Sequence, residues 1–174
     1  MTVRGAAAAQ QADFFGAPLL PGLAYREAFI DAGEEERLIA QIEAAGLTPF
    51  QFQQWEGKRL TRSFGWTYDF QTGRFAPGEP MPHWLVPLRA RAAAFAGIGW
   101  HKDRPVFEHV IGISLGAPAT MRFRRRREGG FDRATAELAT SSIYHMQGEV
   151  RDDWEHSIAA MDAPRWSITF RSLR

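Results

Sequence analysis

The stretch G-W-H-K-D-R-P-V-F-E-H-V-I-G-I-S-L-G-A-P, residues 99–118, sets a polar turn in front of a run of strand-forming residues. His101 and Asp103 stand two apart at its start, and successive side chains of a strand point to opposite faces, so the pair shares a face. Two readings follow: the first half of a metal site, or an ordinary polar turn before a core strand. What decides between them lies elsewhere in the chain.

The run beginning at Val110 opens a series of short strand-like segments: VIGISLG, ATMRFRRR, ATAELAT, SIYHMQGEV, WEHSIAAM and RWSITFRSL. Gly, Pro and charged turns separate them, which is the layout of an all-β barrel or jelly roll. In ATMRFRRR the alternation sends Met121 and Phe123 inward and Arg122, Arg124 and Arg126 outward, a solvated strand face or a phosphate-binding one. The two glycines after REGG suit a hairpin. Upstream, residues 31–47 carry Asp31 and Glu34 at capping-box spacing and Leu38, Ile39, Ile42 and Ala45 at helical intervals, predicting a helix that ends near Gly46. TPFQFQQW and KRLTRSFGWTYDF read as strands joined by a turn at Glu56 and Gly57, followed by a loop over 71–82. A second helix fits residues 83–97, with Pro82 at its start, Leu85, Leu88, Ala92 and Phe95 as its apolar stripe, and Gly97 at its end.

With 174 residues, 45% of them hydrophobic, the chain has material for one domain with a real core. Residues 1–20 read as a loose leader and 21–174 as the domain. No cysteine is present, so thiolate metal sites, disulfides and a Cys nucleophile are excluded, and any metal is held by N and O donors. The alanine run near the start is too short for a signal peptide and no stretch reaches membrane-spanning length, which predicts a cytoplasmic protein without a membrane partner. A net charge of +1 makes no global claim on nucleic acid, although RFRRRR at 122–127 concentrates positive charge locally.

His156, in DDWEHSI, offers a third ligand to a His-x-Asp pair. Two imidazoles and one carboxylate form the facial triad that leaves positions open on Fe(II) for a co-substrate and dioxygen. Further on, RWSITFR alternates: Arg165, Ser167, Thr169 and Arg171 share one face, and Trp166, Ile168 and Phe170 the other. The arginine backbones lie about 20 Å apart, so only long side chains leaning together hold the two ends of one small dicarboxylate. The plain alternative is a pair of solvent-facing arginines protecting an edge strand. His83, His109 and His145 have no matching partners and read as surface or satisfied histidines.

Taken in order, His101-x-Asp103, VIGISLG, MRFRRR, WEHSI and the Arg-x5-Arg of RWSITFR resemble the AlkB-type Fe(II)- and 2-oxoglutarate-dependent dioxygenases from about residue 57 to the C-terminus. The resemblance implies a mainly β, α+β fold: a double-stranded β-helix (jelly roll) core with N-terminal helices packed against it. It implies that His101, Asp103 and His156 bind iron, that Arg165 and Arg171 hold 2-oxoglutarate, and that dioxygen is consumed. The expected reaction is oxidative demethylation of an N-alkylated DNA or RNA base by a monomeric enzyme. RLTRSFGWTYDF resembles the family's lid over the substrate, with Trp66 and Tyr68 as stacking candidates and Arg62 as a phosphate contact; core packing is the alternative for these aromatics. Iron binding is expected to weaken when acid protonates the imidazoles.

Two features depart from the family. Pro105 stands where several relatives carry a second acidic residue that reads the damaged base, so a protein side chain is an alternative substrate. AAAFAG also runs straight into IGWHKD, without the strand that carries a tyrosine contact to 2-oxoglutarate. A helix ending at Gly97 leaves too short a connector before His101, which predicts that a segment of the working protein is absent between Gly97 and Ile98. The competing expectation is a weak or inactive relative serving as a nucleic-acid or protein binding module.

Overall fold

The computed structural model describes residues 20–52, 55–69, 74–97 and 107–173. His101, Asp103, Pro105, the Gly97–Ile98 junction and residues 1–19 of the expected leader therefore lie wholly or in part outside the described residues. No helix among those described is long and apolar enough to cross a membrane.

The described chain forms two compact units, one of residues 20–31 with 107–173 and one of Ala32–Gly97. The first is two antiparallel sheets. Strands β1 (Leu23–Arg26), β6 (Phe107–Gly116), β9 (Ile143–Met146) and β11 (Arg165–Leu173) make a four-stranded sheet in the order β1-β9-β6-β11. Strands β7 (Ala119–Arg127), β8 (Gly130–Leu138) and β10 (Glu155–Ile158) make a three-stranded sheet in the order β10-β7-β8. Leu23, Val110, Tyr144 and Met146 of the larger sheet share one core cluster with Met121, Phe123 and Leu138 of the smaller, so these side chains mark the inner faces.

The two sheets differ in how they meet water, and the sequence shows why. From Val110 to Leu115 and from Ile143 to Met146 every residue is buried, as strands covered on both faces require. In β7 buried Met121 and Phe123 alternate with exposed Arg122 and Arg124, the one-sided pattern that the alternation predicts. The hairpin between β7 and β8 turns at Glu128 and Gly129.

Short β1 has no strong strand pattern and owes its order to pairing with β9 from Leu23↔Met146 to Arg26↔Ile143. Its approach is fixed at Gly22, whose φ is +87° and where a Cβ would stand 1.9 Å from the Gln147 carbonyl oxygen. Only glycine takes that backbone and that proximity together. The Gln147 amide donates to Gly22 O at 3.0 Å, and the Val150 amide to Pro21 O at 3.1 Å.

The second unit contains both expected helices. Helix α1 (Ala32–Ala44) buries Leu38 and half-buries Ile39 and Ile42, and α2 (Val86–Ala96) follows a 3₁₀ turn over His83–Leu85. Leu85, Leu88 and Ala92 are buried, and Gly97 caps α2 in the left-handed conformation at φ 65°. Arg91 grips Glu34 with one guanidinium nitrogen at 2.7 and 2.9 Å from the two carboxylate oxygens.

Three local expectations are corrected. Glu56 and Gly57 lie inside β3 (Trp55–Thr61), which pairs with β2 (Thr48–Phe52) through Phe52↔Trp55, so the chain reverses before them. The expected loop contains a strand, β5 (Arg74–Pro77), paired with β4 (Trp66–Asp69). SIYHMQGEV is not one strand: β9 stops at Met146 and the helical turn α3 (Glu149–Asp152) begins. In each case pairing or turn chemistry outweighs the propensity of the isolated segment.

On the face of the larger sheet opposite Tyr144, His145 is 2% exposed and its Nε2 lies 2.8 Å from Nδ1 of half-buried His109. The two histidines thus satisfy each other. Burial, with His109 adding to it, lowers the His145 pKa to about 4. An unfolded histidine titrates near 6.5, so between pH 6.5 and about 4 the unfolded chain binds the extra proton and stability is lost as pH falls. We expect about 2 kcal/mol of unfolding free energy to disappear from this group between pH 7 and pH 5. Urea midpoints at the two pH values measure it, and His145→Leu is expected to flatten that part of the profile.

Candidate active site

The inner face of the larger sheet is where the expected site residues of the β half gather. β11 pairs with β6 in the register Arg165↔Gly116, Ser167↔Ser114, Thr169↔Gly112 and Arg171↔Val110. Since Val110 belongs to the shared core, this row of β11 residues looks inward. Arg165 is half-buried, and its Nη2 donates to Ser114 Oγ at 3.0 Å, with Ser114 fully buried. Its Nε is buried and has no hydrogen-bond partner among the described residues. Burial lowers the Arg165 pKa, against a raising influence from Tyr144. A buried N–H without an acceptor is costly, so this nitrogen fits an incoming carboxylate oxygen.

His156 stands on β10 opposite Phe123 of β7, and the two rings are 6.4 Å apart between centroids. Phe123 is a core residue, so His156 also faces the inner side. Its pKa is lowered by burial, then by the charges of Arg151 and Arg171. Part of the residue stays open to solvent. A neutral imidazole is the form that ligates a metal.

The chain leading to His156 is pinned from below. Arg125 lies 4.8 Å from the centre of the Trp154 ring, donates to Glu149 Oε1 at 2.8 Å and reaches Asp132 Oδ2 at 3.3 Å. The Trp154 indole N–H donates to the same Glu149 oxygen at 3.3 Å. Arg124 pairs with Glu155 beside His156, and Arg127 with Asp132 at 3.1 Å. Arg124, Arg126 and Arg133 gather around the Phe131 ring. Much of the arginine run thus has partners within its own sheet.

Arg62, Trp66 and Tyr68 belong to the second unit. Arg62 holds both carboxylate oxygens of Glu79 with Nη2, at 2.6 and 2.7 Å, and donates to Gly46 O at 3.3 Å; its pKa is raised by that bond and by the Glu79 charge. It lines an open cleft of about 250 Å³ together with Phe64, Glu79, Pro82 and Trp84. Trp66 is 55% exposed, and Tyr68 stands on β4 opposite Phe75. His101 and Asp103 lie outside the described residues, and no group of three metal-ligating side chains occurs among those described.

Sequence reasoning passed over Tyr144 and Gly112. Tyr144 is paired with Gly112 of β6 and points inward with the arginine row. The available signal was the glycine itself: a glycine inside an apolar strand marks a close approach by another group.

Residues 91–171, from within α2 to β11, match the family model of the 2OG-Fe(II) oxygenase superfamily. The matched segment is that of an oxidoreductase of the dioxygenase kind, and its cofactors are Fe(II), 2-oxoglutarate and dioxygen. A search of curated proteins found no match. The donor chemistry fits this set: a neutral imidazole at 156 for the metal, and an unsatisfied guanidinium N–H at 165 for a carboxylate.

Because Arg125 joins the Trp154 ring, Glu149 and Asp132, Arg125→Ala is expected to cost about 1 kcal/mol in urea unfolding. A double-mutant cycle with Glu149→Ala is expected to show positive coupling, since both remove the same ion pair.

Proposed function

We propose that the chain is an AlkB-type dioxygenase on a double-stranded β-helix, which oxidatively removes N-alkyl groups from nucleic-acid bases. The observation that supports it best is the common inward orientation of His156, Arg165 and Arg171 within a segment matched to the oxygenase superfamily. In this reading His101, Asp103 and His156 hold iron, and Arg165 and Arg171 hold 2-oxoglutarate. Bound iron supplies the centre at which decarboxylation of 2-oxoglutarate is coupled to oxidation of a substrate C–H bond.

The balance for an N-methyl substrate is N–CH₃ plus 2-oxoglutarate plus O₂, giving N–H, formaldehyde, succinate and CO₂. The chain's own part is positional. His156 offers a lone pair because burial, and then the charges of Arg151 and Arg171, disfavour the imidazolium, and Arg165 turns its unsatisfied N–H on a carboxylate. Exposed Trp66 offers a face on which an extruded base stacks. Arg62 reaches a phosphate only by exchanging Glu79 for it.

Succinate formation with Fe(II) and 2-oxoglutarate in air tests the reading, because uncoupled turnover needs no substrate. The wild-type protein is expected to release succinate slowly, and His101→Ala, Asp103→Ala and His156→Ala to release none while keeping their circular dichroism. Arg165→Ala and Arg171→Ala are expected to raise the half-saturating 2-oxoglutarate concentration about tenfold or more, from the loss of a charge-assisted bond worth about 1.5–3 kcal/mol. A wild-type protein that never forms succinate overturns the enzyme reading in favour of a binding module. For the substrate, formaldehyde release from an N-methylated single-stranded oligonucleotide is expected to need about tenfold more oligonucleotide with Trp66→Ala; release from a methylated peptide alone overturns the nucleic-acid assignment.

A further inference from the structure

We propose that the outer face of the three-stranded sheet binds the phosphodiester backbone of a nucleic-acid strand, with Arg122, Arg126 and Arg133 as its phosphate contacts. In naming nucleic acid this rests on the substrate class proposed above; in assigning it a face away from the candidate metal ligands it goes beyond that reading.

The register fixes which side chains share the face. Met121 and Phe123 belong to the core, so Arg122, Arg124 and Arg126 of β7 point to the other side. Residues directly opposite each other in an antiparallel pair lie on one face, which adds Phe131, Arg133 and Thr135 of β8 and Glu155 and Ser157 of β10. His156 is opposite Phe123 and therefore stands on the inner side, away from these cations.

Charge on this face is not balanced by its own acids. Arg124 pairs with Glu155, and at the far end of β8 both carboxylate oxygens of Glu137 accept from the Thr120 hydroxyl at 2.9 Å. Arg122, Arg126 and Arg133 are exposed and have no ion pair among the described residues. The cations are also crowded. The guanidinium carbons of Arg124, Arg126 and Arg133 lie 4.9, 5.8 and 5.8 Å from the centre of one ring, that of Phe131. Arg124 and Arg133 are direct cross-strand partners, a placement in which like charges repel. A bound polyanion relieves that repulsion.

The layout selects a linear anion over a small one. Same-face positions on a strand repeat about every 7 Å, so the row from Arg122 to Arg126 extends about 14 Å, wider than one small anion. Guanidinium forks fit phosphate oxygens two at a time, and the exposed hydroxyls of Ser157 and Thr135 flank Arg122 as further donors. Such contacts hold the backbone without reading the bases.

Anisotropy titration of a fluorescein-labelled, unmethylated single-stranded oligonucleotide, at salt concentrations from about 50 to about 200 mM, tests this without turnover. Each phosphate contact contributes about 0.7 to the slope of log Kd against log salt, so Arg122→Gln/Arg126→Gln/Arg133→Gln is expected to lower the slope by about 2 and to raise Kd about tenfold or more at the low-salt end. Arg122→Gln alone removes a side chain with no partner among the described residues, so folding is unaffected, and is expected to lower the slope by about 0.7. Removing the same charge from exposed positions of the second unit, with Arg37→Gln/Lys58→Gln/Arg89→Gln, is expected to leave the slope unchanged. An equal loss in that control, or a wild-type slope in the triple arginine variant, overturns the inference. Equally tight binding of labelled polyglutamate through the same three arginines overturns the nucleic-acid assignment in favour of an acidic peptide. Succinate formation without substrate is expected to be unchanged in the triple arginine variant. A protein that binds the oligonucleotide through this face but forms no succinate therefore loses the dioxygenase reading alone, and one that forms succinate but binds no oligonucleotide here loses this inference alone.

Discussion

The antiparallel register between β6 and β11 is the constraint on which the candidate site depends. It sets Ser167 beside Ser114, Thr169 beside Gly112 and Arg171 beside Val110, so that one face of β11 shares the side of the sheet on which Val110 joins the core. A slip by one residue would turn Trp166, Ile168 and Phe170 to that side and carry both arginines away from it. The hydrophobic pattern resists the slip, because Ile168 is buried on the opposite face together with Ile111 and Ile113. Packing on one face therefore maintains the polar chemistry on the other.

The same sheet bears two kinds of buried polarity, and they are treated differently. On the face opposite Tyr144, His145 and His109 pair with each other at 2.8 Å. On the inner face, Arg165 spends one nitrogen on Ser114 and keeps another buried without a partner among the described residues. Structural polar groups tend to be satisfied, so an orphan on the inner face points toward a ligand more strongly than an equally buried pair. Three arginines of β7 follow the first pattern: Arg124, Arg125 and Arg127 meet Glu155, Glu149 and Asp132.

The parts of the fold that were legible in the sequence are those where one local pattern dominates. The stripe of Leu85, Leu88 and Ala92 ended by Gly97 gives α2, and the alternation of Met121 and Phe123 with arginines gives β7 and its inner face. The inward row of β11 was legible for the same reason. Where order comes from a distant partner, the sequence said little. β1 has four residues and exists through β9, β5 sits among Gly and Pro that read as loop, and Glu56 and Gly57 are held in β3 by β2. Residues suited to a phosphate contact, such as Arg62, read the same from the sequence whether or not an acidic partner such as Glu79 waits 17 positions away.

Tyr144 shows how a close approach between strands escapes a local reading. In I-Y-H-M the tyrosine is flanked by residues that bury equally well, and nothing in those four positions separates a core ring from a functional one. Its meaning depends on position 112 of another strand, where the absence of a side chain lets the phenol cross the sheet. A larger residue at 112 would fill that space with carbon and keep the ring on its own strand. The β6 sequence V-I-G-I-S-L thus breaks its apolar run twice on the inner face, once with a glycine that admits the tyrosine and once with a serine that holds Arg165. Both substitutions give up apolar burial in the middle of a core strand, where each lost methylene is worth about 0.8 kcal/mol. What they return is an inward row in which donors, not methyl groups, face the space between the sheets.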